Sequence, residues 1–132
     1  MKYMLDTNIC VYIMKKKPVR ALEKFSLCDA GDICISSITL AELEFGVCKS
    51  SSPLKNKFAL TMFLSGIEVV SFDRKAAAEY GNIRADLEKQ GKPIGGNDFL
   101  IAAHARSLNL TLVTNNVKEF CRVKDLKIEN WA

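Results

Sequence analysis

The sequence has few of the residues and runs that define several large classes of protein. It contains one histidine, one tryptophan and three prolines in 132 residues. No apolar run approaches the ~20 residues that a membrane-spanning helix needs. The segment Met1–Leu5 leads into the polar Asp6-Thr7-Asn8 too early for a signal peptide, and there is no internal repeat, linker or low-complexity segment. These absences argue against membrane and repeat proteins and predict a single cytoplasmic domain over residues 1–132.

The cysteines lack any pattern that would indicate a disulfide framework or a zinc site. Their number is odd, and no two are spaced as C-x-x-C. We expect all five to be small buried apolar residues in a reducing compartment: Cys10, Cys28, Cys34, Cys48 and Cys121. Because His104 is the only histidine, a pair of histidine ligands cannot form, and we expect this residue to be structural.

The remaining composition is that of an ordinary globular domain. Hydrophobic residues make up 48% and charged residues 26%, and the chain is long enough to bury roughly two-thirds of its unfolded surface. The net charge of +4 fits a polyanionic partner, although many proteins without such a partner carry a similar charge. Lys15-Lys16-Lys17 is either a solvated helix end or a grip for RNA phosphate.

Short apolar runs alternate with segments of helical periodicity along the whole chain. They predict strands at Lys2–Leu5, Ile33–Ile35, Ile67–Val70 and Thr111–Val113, with an edge strand at Leu126–Ile128. They predict helices at Ile9–Lys16, Val19–Cys28, Thr39–Val47, Leu54–Leu64, Arg74–Gln90 and Asn97–Leu108, and a helical turn at Asn115–Phe120. This alternation predicts an α/β fold whose mostly parallel central sheet is flanked by helices on both faces, with Trp131 packed against the body.

Three acidic residues stand where an apolar run gives way to a helical segment: Asp6, Glu42 and Asp98. In an open parallel sheet, residues just past the strand ends gather at one edge, so these carboxylates are expected to share a pocket. Three carboxylates repel one another unless a cation holds them, and oxygen ligands suit Mg²⁺ or Mn²⁺. The pattern predicts a metal-dependent phosphodiesterase.

Each acid also has a purely structural interpretation. Asp6 fits a helix N-cap, Thr39 and Glu42 fit a capping box, and Asp98 suits the dipole in the first turn of its helix. Asp73 has the same position relative to a strand, so position alone does not decide. The polar neighbours distinguish the three acids, because amides and hydroxyls orient carboxylates and water around a metal: Thr7, Asn8, Asn97, Thr114, Asn115 and Asn116.

Four segments, in this order, resemble the motifs of the PIN-domain family, and most closely those of the VapC toxins of bacterial type II toxin–antitoxin systems. They are Leu5–Asn8, Ala41–Leu43, Gly95–Asp98 with Ile101–Ala105, and Leu112–Asn116 followed by Glu119-Phe120. The resemblance covers essentially the whole chain. It implies a PIN-like fold and a Mg²⁺- or Mn²⁺-dependent endoribonuclease, usually a homodimer, inhibited by a VapB-type antitoxin. DNA would be met only indirectly, through the antitoxin.

The resemblance also implies the roles of residues. The family's metal-binding acids correspond to Asp6, Glu42 and Asp98, with Glu42 completing the site or orienting the attacking water. In-line attack by water leaves a 3′-hydroxyl and a 5′-phosphate, with Thr114 and the catalytic Asn116 orienting water or phosphate. Many family members carry a fourth acid after the last central strand, where this chain has Asn115-Asn116 with Glu119 as the nearest carboxylate, so one or two metal ions remain possible.

The substrate and two other classes of function stay open at this stage. Similarity to the enteric VapC group implies initiator tRNA cut in its anticodon stem-loop, with ribosomal and messenger RNA as alternatives. A catalytically inactive PIN-fold interaction module is one rival. The other is an Asp-based phosphotransfer or receiver domain, which would require an acid at Asn8 and a lysine after the last strand.

Overall fold

The computed structural model describes residues Met1–Ala132 and is built around one five-stranded sheet. The sheet order is β3-β2-β1-β4-β5, and every neighbouring pair is parallel. The strands are β1 (Tyr3–Leu5), β2 (Ile33–Ser36), β3 (Glu68–Val70), β4 (Thr111–Val113) and β5 (Ile128–Glu129). The predicted parallel sheet is confirmed, and the first strand of the chain lies at its centre.

Seven helices connect and cover the strands. They are α1 (Thr7–Lys15), α2 (Val19–Ser26), α3 (Ser37–Lys49), α4 (Pro53–Leu64), α5 (Arg74–Lys89), α6 (Gly96–Ser107) and α7 (Val117–Phe120), with a 3-10 turn at Ala30–Asp32. Gly91, at φ 70, ends α5 in the left-handed conformation that glycine adopts easily. None of the helices has the length and apolar character to cross a bilayer.

The central strands divide their side chains between two cores, because successive residues of a strand point to opposite faces. Met4 and Leu112 join α5 and α6 in one core, whereas Leu5 and Val113 join α1, α3 and α4 in the other. Trp131 is 1% exposed and lies in the second core, as predicted. The predicted covering of both faces by helices is confirmed.

The start of α3 corrects one interpretation made from the sequence. The predicted helix began at a capping box formed by Thr39 and Glu42, but the observed N-cap is Ser36, whose Oγ accepts from the Ile38 amide at 3.0 Å. The helix therefore begins two residues earlier. Glu42 falls in its second turn, beyond the reach of a cap, and its carboxylate is left free for another role.

Two smaller expectations are also corrected. The edge strand is Ile128–Glu129, not Leu126–Ile128, because the pairing of Leu112 with Ile128 sets its register. Only Cys10 and Cys34 are buried, whereas Cys28 is partly buried and the two helix-end cysteines are exposed: Cys48 and Cys121. Cys48 is the second-last residue of α3, and Cys121 directly follows α7.

Candidate active site

The carboxyl ends of the three inner strands meet at one edge of the sheet, and polar residues follow each of them. Asp6 follows β1, Ser36 ends β2, and Thr114 follows β4. Asp98 lies in the first turn of α6, and Glu42 lies on α3, the helix that follows β2. The fold thus carries the three predicted acids to the same edge.

Asp6 is the most firmly held of the acids. It is 5% exposed, and its two carboxylate oxygens have different partners. The Thr7 amide donates to Oδ1 at 2.8 Å, and the Thr114 hydroxyl donates to Oδ2 at 2.8 Å. Burial raises the pKa of Asp6, and these two hydrogen bonds oppose that rise. The carboxylate therefore has a fixed orientation set by β1 and β4.

Glu42 is held differently, because its carboxylate has a buried oxygen without a partner. Neither Glu42 Oε1 nor the Thr7 hydroxyl finds a hydrogen bond although both atoms are buried. Burial raises the pKa of Glu42, the nearby Thr7 side chain lowers it, and the negative charge of Asp6 raises it further. Buried polar atoms normally have partners, so these two atoms indicate that a ligand or water completes the site.

Asp98 carries the strongest electrostatic signal. Its pKa is raised to about 7, first by burial, then by a hydrogen bond in which the protonated carboxyl donates to Glu119, and by the negative charges of Asp6, Glu119 and Glu42. The loop before it fits closely: a Cβ on Gly95 would lie 3.3 Å from Asp98 Oδ2. Four carboxyl groups thus influence one another at this edge.

Glu119 belongs to this group more directly than the sequence indicated. The Asn116 side-chain amide donates to Glu119 Oε2 at 2.9 Å, and the Asn116 backbone amide donates to the Thr114 hydroxyl at 3.0 Å. Since Thr114 in turn donates to Asp6, a continuous chain of hydrogen bonds runs from α7 to β1. Glu119, from the helical turn that follows the Asn pair, thus lies near the three predicted acids.

The other predicted supporting residues divide between the site and its surroundings. The Asn97 side chain lies beside Glu42 and lowers its pKa, although Asn97 as a whole is exposed. Asn115 has a different partner, since its side-chain amide donates to the Tyr12 hydroxyl at 2.8 Å. Asn8 is exposed on α1, and no hydrogen bond joins it to the acids. Tyr12 was not among the site residues predicted from the sequence. Only its position on the inner face of α1 could have indicated this contact.

Two other titratable residues lie beside the acids without joining them. Cys10 is fully buried, and burial, together with the charges of Asp6 and Glu42, raises the pKa of its thiol well above the ordinary value. It therefore stays protonated and is a poor metal ligand. His104 is 1% exposed and bonded to Ser36, which agrees with the structural role expected for it.

The donor set fits a hard divalent cation. Carboxylates, hydroxyls and amides are the oxygen-rich groups that Mg²⁺ and Mn²⁺ prefer. Burial first, and then the neighbouring carboxyl groups, raise the pKa of Asp98, and a bound cation would offset both effects. As the side chains stand, no three of the histidine, cysteine, aspartate and glutamate residues are close enough to coordinate one ion together. Binding would therefore require the carboxylates to draw inward.

An apolar cavity of about 420 Å³ opens beside the acids, between α1, α3 and α4. Thr7 and Glu42 form part of its wall, so the cavity and the acid cluster are continuous. Its apolar lining comes from Val11, Met14, Leu43, Val47, Ala59 and Leu60. Lys15 also lines it, and none of the ion pairs of the chain involves that lysine.

Comparison with known proteins agrees with this geometry. The sequence profile of the PIN domain matches residues 3–126, and the chain therefore belongs to the PIN-domain family. Its similarity within the family is to VapC ribonucleases. It is 51% identical over 132 residues to Ribonuclease VapC2 of Haemophilus influenzae, covering 100% of this chain and 99% of that protein. It is 48% identical, with the same coverage, to the tRNA(fMet)-specific endonuclease VapC of Shigella flexneri.

A solved relative has the same fold. The crystal structure of VapBC2 from Rickettsia felis, bound to a DNA fragment from its promoter, contains a chain that matches with a TM-score of 0.93 and 48% identity. The match covers 100% of both chains. The PIN-like fold and the VapC resemblance expected from the sequence motifs are confirmed.

Proposed function

We propose that the protein is the toxin of a type II toxin–antitoxin pair, an endoribonuclease that hydrolyses RNA phosphodiester bonds with Mg²⁺ or Mn²⁺. The gathering of Asp6, Glu42, Asp98 and Glu119 carries the proposal, because burial and mutual repulsion there raise the pKa of Asp98 to about 7. Such a cluster is costly unless a cation binds. The names of the relatives support ribonuclease activity.

Asp6, Glu42 and Asp98 would hold the ion, with Glu119 supporting Asp98. When bound, the ion would lower the pKa of water and neutralise charge building on the phosphate, an effect worth several kcal/mol. Glu42 Oε1, which lacks a protein partner, is available to orient the attacking water. Thr114 and Asn116 would fix Asp6 and Glu119 and orient water or phosphate. In-line attack would leave a 3′-hydroxyl and a 5′-phosphate.

The test is cleavage of an end-labelled RNA with Mg²⁺, with Mn²⁺ and with EDTA. We expect cleavage only with a divalent ion, and a loss in Asp6→Asn and Asp98→Asn that exceeds the roughly 10–100-fold typical of losing an outer partner of a metal site. Asp73→Asn is the matched control, since Asp73 caps α5 through the Ala76 amide and asparagine caps equally well. Full cleavage in EDTA, or by either site variant, would refute the metal mechanism.

The substrate we propose is initiator tRNA, cut in its anticodon stem-loop. The support is the name tRNA(fMet)-specific endonuclease carried by the relatives from Shigella flexneri and Salmonella typhimurium, at 48% and 45% identity. Unpaired loop bases are also what proteins read most readily in RNA. Purified initiator tRNA, elongator methionine tRNA and ribosomal RNA should be compared in one assay, and equal cleavage of all three would contradict this choice.

The antitoxin is proposed to be a VapB-type protein that covers the acids. An arginine from it would pair with Asp6 or Asp98 in bidentate fashion and displace the ion. Its apolar segment, extended or helical, would lie on the cavity between α1 and α4. The lining of that cavity supports this, because it includes six apolar side chains from α1, α3 and α4. Contact with DNA would come through the antitoxin.

The quaternary state and location complete the proposal. We propose a cytoplasmic homodimer, because a two-fold symmetric pair is the commonest assembly and the resemblance to VapC toxins implies one. We take residues 1–132 as one domain. The support is that Trp131, past the matched residues 3–126, packs its ring at 5.2 Å from Tyr3 of the first strand.

A further inference from the structure

A buried polar pair joins the two helices that carry Glu42 and Asp98. The Nδ1 atom of His104 lies 2.7 Å from the Ser36 hydroxyl, and the two residues are 1% and 0% exposed. His104 belongs to α6, whereas Ser36 ends β2 and begins α3. A hydrogen bond between neutral groups at this depth is strongly directional, because no water competes for either atom.

Ser36 has a second task that makes its position matter. Its Oγ accepts from the Ile38 amide at 3.0 Å and so fixes where the first turn of α3 begins. A hydroxyl can accept this bond while it donates to the imidazole, so one oxygen satisfies both partners. Burial lowers the pKa of His104, and the charge of Asp73 opposes that change, so the ring stays neutral. The rotamer of Ser36 is thereby set by α6.

The same junction is closed by a second contact. The ring of Phe72 meets the His104 imidazole edge-on at 5.4 Å, and the Phe72 amide donates to the Ser37 hydroxyl at 3.1 Å. The loop after β3 therefore also contacts the imidazole. His104 has little freedom to adopt another rotamer.

The distances along the two helices connect this junction to the acids. Glu42 is six residues after Ser36, and Asp98 is six residues before His104, so each acid lies about 9 Å along its helix at 1.5 Å per residue. Glu42 Oε1 has no protein hydrogen bond, so no bond to that oxygen would hold it in place if α3 moved. A shift in the start of α3 would move Glu42 relative to Asp98.

We propose that His104 is a positioning residue, which holds Ser36 through Nδ1 and thereby sets the separation of Glu42 from Asp98. The inference rests on the proposed function, since the acids are taken as the cation site. His104 touches neither RNA nor cation. Instead, His104 fixes how α3 and α6 pack against each other at the sheet edge where the acids lie.

The experiment compares His104→Leu, which keeps volume but removes the hydrogen bond, with His104→Asn, whose amide can stand near the place of Nδ1. Mn²⁺ affinity is measured by calorimetry, and kcat and KM are measured on labelled RNA well below the melting temperature. We expect His104→Leu to lose about tenfold in Mn²⁺ affinity and in kcat, the lower end of the 10–100-fold range for residues behind metal ligands, with KM unchanged. His104→Asn should recover most of both.

Ile83→Val controls for a general loss of stability, because Ile83 is buried in α5 against the same core and has no polar role. It should lower the melting temperature and leave kcat and Mn²⁺ affinity unchanged. If His104→Leu does not fold, Ser36→Ala and Ser36→Thr replace the comparison, since threonine keeps the hydroxyl. Wild-type kcat and Mn²⁺ affinity in the folded apolar variant, or equal impairment of the apolar and the polar variant, would overturn the proposal.

The outcomes separate this inference from the proposed function. A wild-type chain that binds Mn²⁺ without cleaving RNA overturns the proposed function alone, and His104 is then judged on Mn²⁺ affinity. A wild-type chain that binds no divalent ion overturns both.

Discussion

At the residue scale, the site is defined by how differently its carboxylates are held. Asp6 has two hydrogen bonds from fixed donors, whereas Glu42 has an unpaired buried oxygen and burial beside Glu119 raises the pKa of Asp98 to about 7. One acid is thus fixed before any ligand arrives, and the others have freedom to adjust. This difference explains how a cluster can exist without a ready-made arrangement of three metal ligands.

The raised pKa of Asp98 predicts how stability depends on pH. Its value is about 7 in the folded protein against an ordinary 3.8, so the folded state binds the extra proton and the carboxylate destabilises it increasingly as pH rises from about 4 to 7. In EDTA, Asp98→Asn should match wild type in melting temperature near pH 4 and exceed it at pH 8. Mg²⁺ at pH 8 should stabilise wild type and leave the variant unchanged.

An Asp98→Asn variant that melts at a lower temperature than wild type at pH 8 in EDTA would contradict this pH dependence. Asp86→Asn is the control, because Asp86 lies on the exposed side of α5 and only bonds Gln90. Its melting temperature should follow wild type at both pH values.

The sequence predicted the three metal-binding candidates because each stands near a junction where an apolar run or a loop gives way to a helical segment, and such junctions are readable from the sequence pattern. Glu119 was recognised only as a supporting residue, since its place depends on α7 turning back so that Asn116 and Thr114 link it to Asp6. Asn8 was a candidate by adjacency, but helical geometry turns it outward. Sequence spacing alone therefore cannot predict the contacts that depend on where a side chain points.

At the element scale, the N-terminus of α3 depends on which of two possible N-cap residues is used. Both Ser36 and Thr39 are acceptable N-caps in sequence, and the first is chosen because it also bonds His104 on another helix. The strand positions were predicted more accurately, since Met4-Leu5 and Leu112-Val113 are buried on both faces and no alternative location for such runs exists. The short final strand begins two residues later and ends one residue later than predicted, because its register comes from its pairing with β4.

Near the C-terminus, substitution of Trp131 is expected to lower stability strongly, although this residue lies outside the acid cluster. Trp131 packs on Tyr3, and its indole nitrogen donates to Glu129 Oε1 at 2.8 Å. Trp131→Ala should lower the free energy of unfolding by about 3–5 kcal/mol in urea denaturation, as expected for removing a buried aromatic ring. Leu54→Ala, at a position 90% exposed, should change it by less than about 0.5 kcal/mol.

At the scale of the whole molecule, a charged site and an apolar surface lie side by side. The acids occupy the sheet edge, and the apolar cavity between α1, α3 and α4 begins at Thr7 and Glu42. A single protein partner could therefore cover both regions and exclude RNA and cation together. The whole fold could be predicted because the four sequence motifs occur in the order of the PIN-domain family. The surface available to a partner could not be predicted, because it depends on how the helices pack.

This arrangement predicts the behaviour of the protein in cells. Expression of the chain alone should arrest bacterial growth, and co-expression with a small antitoxin gene adjacent to its own should restore it. Asp6→Asn is the control, which should be harmless at equal expression. Size-exclusion chromatography with light scattering should give twice the chain mass for the isolated protein. Harmless high-level expression of the wild type would contradict the toxin proposal, and a monomer would contradict the dimer.

The hydrogen bond between Thr114 and Asp6 has a consequence for the time at which activity appears during synthesis. Thr114 is made 108 residues after Asp6, so at ~5–20 residues per second a nascent chain waits roughly 5–20 s before its first acid can be held. The central strand likewise lacks its neighbour β4 until then. An unfinished chain on the ribosome therefore has no assembled nuclease, and premature termination anywhere before β4 yields a harmless fragment.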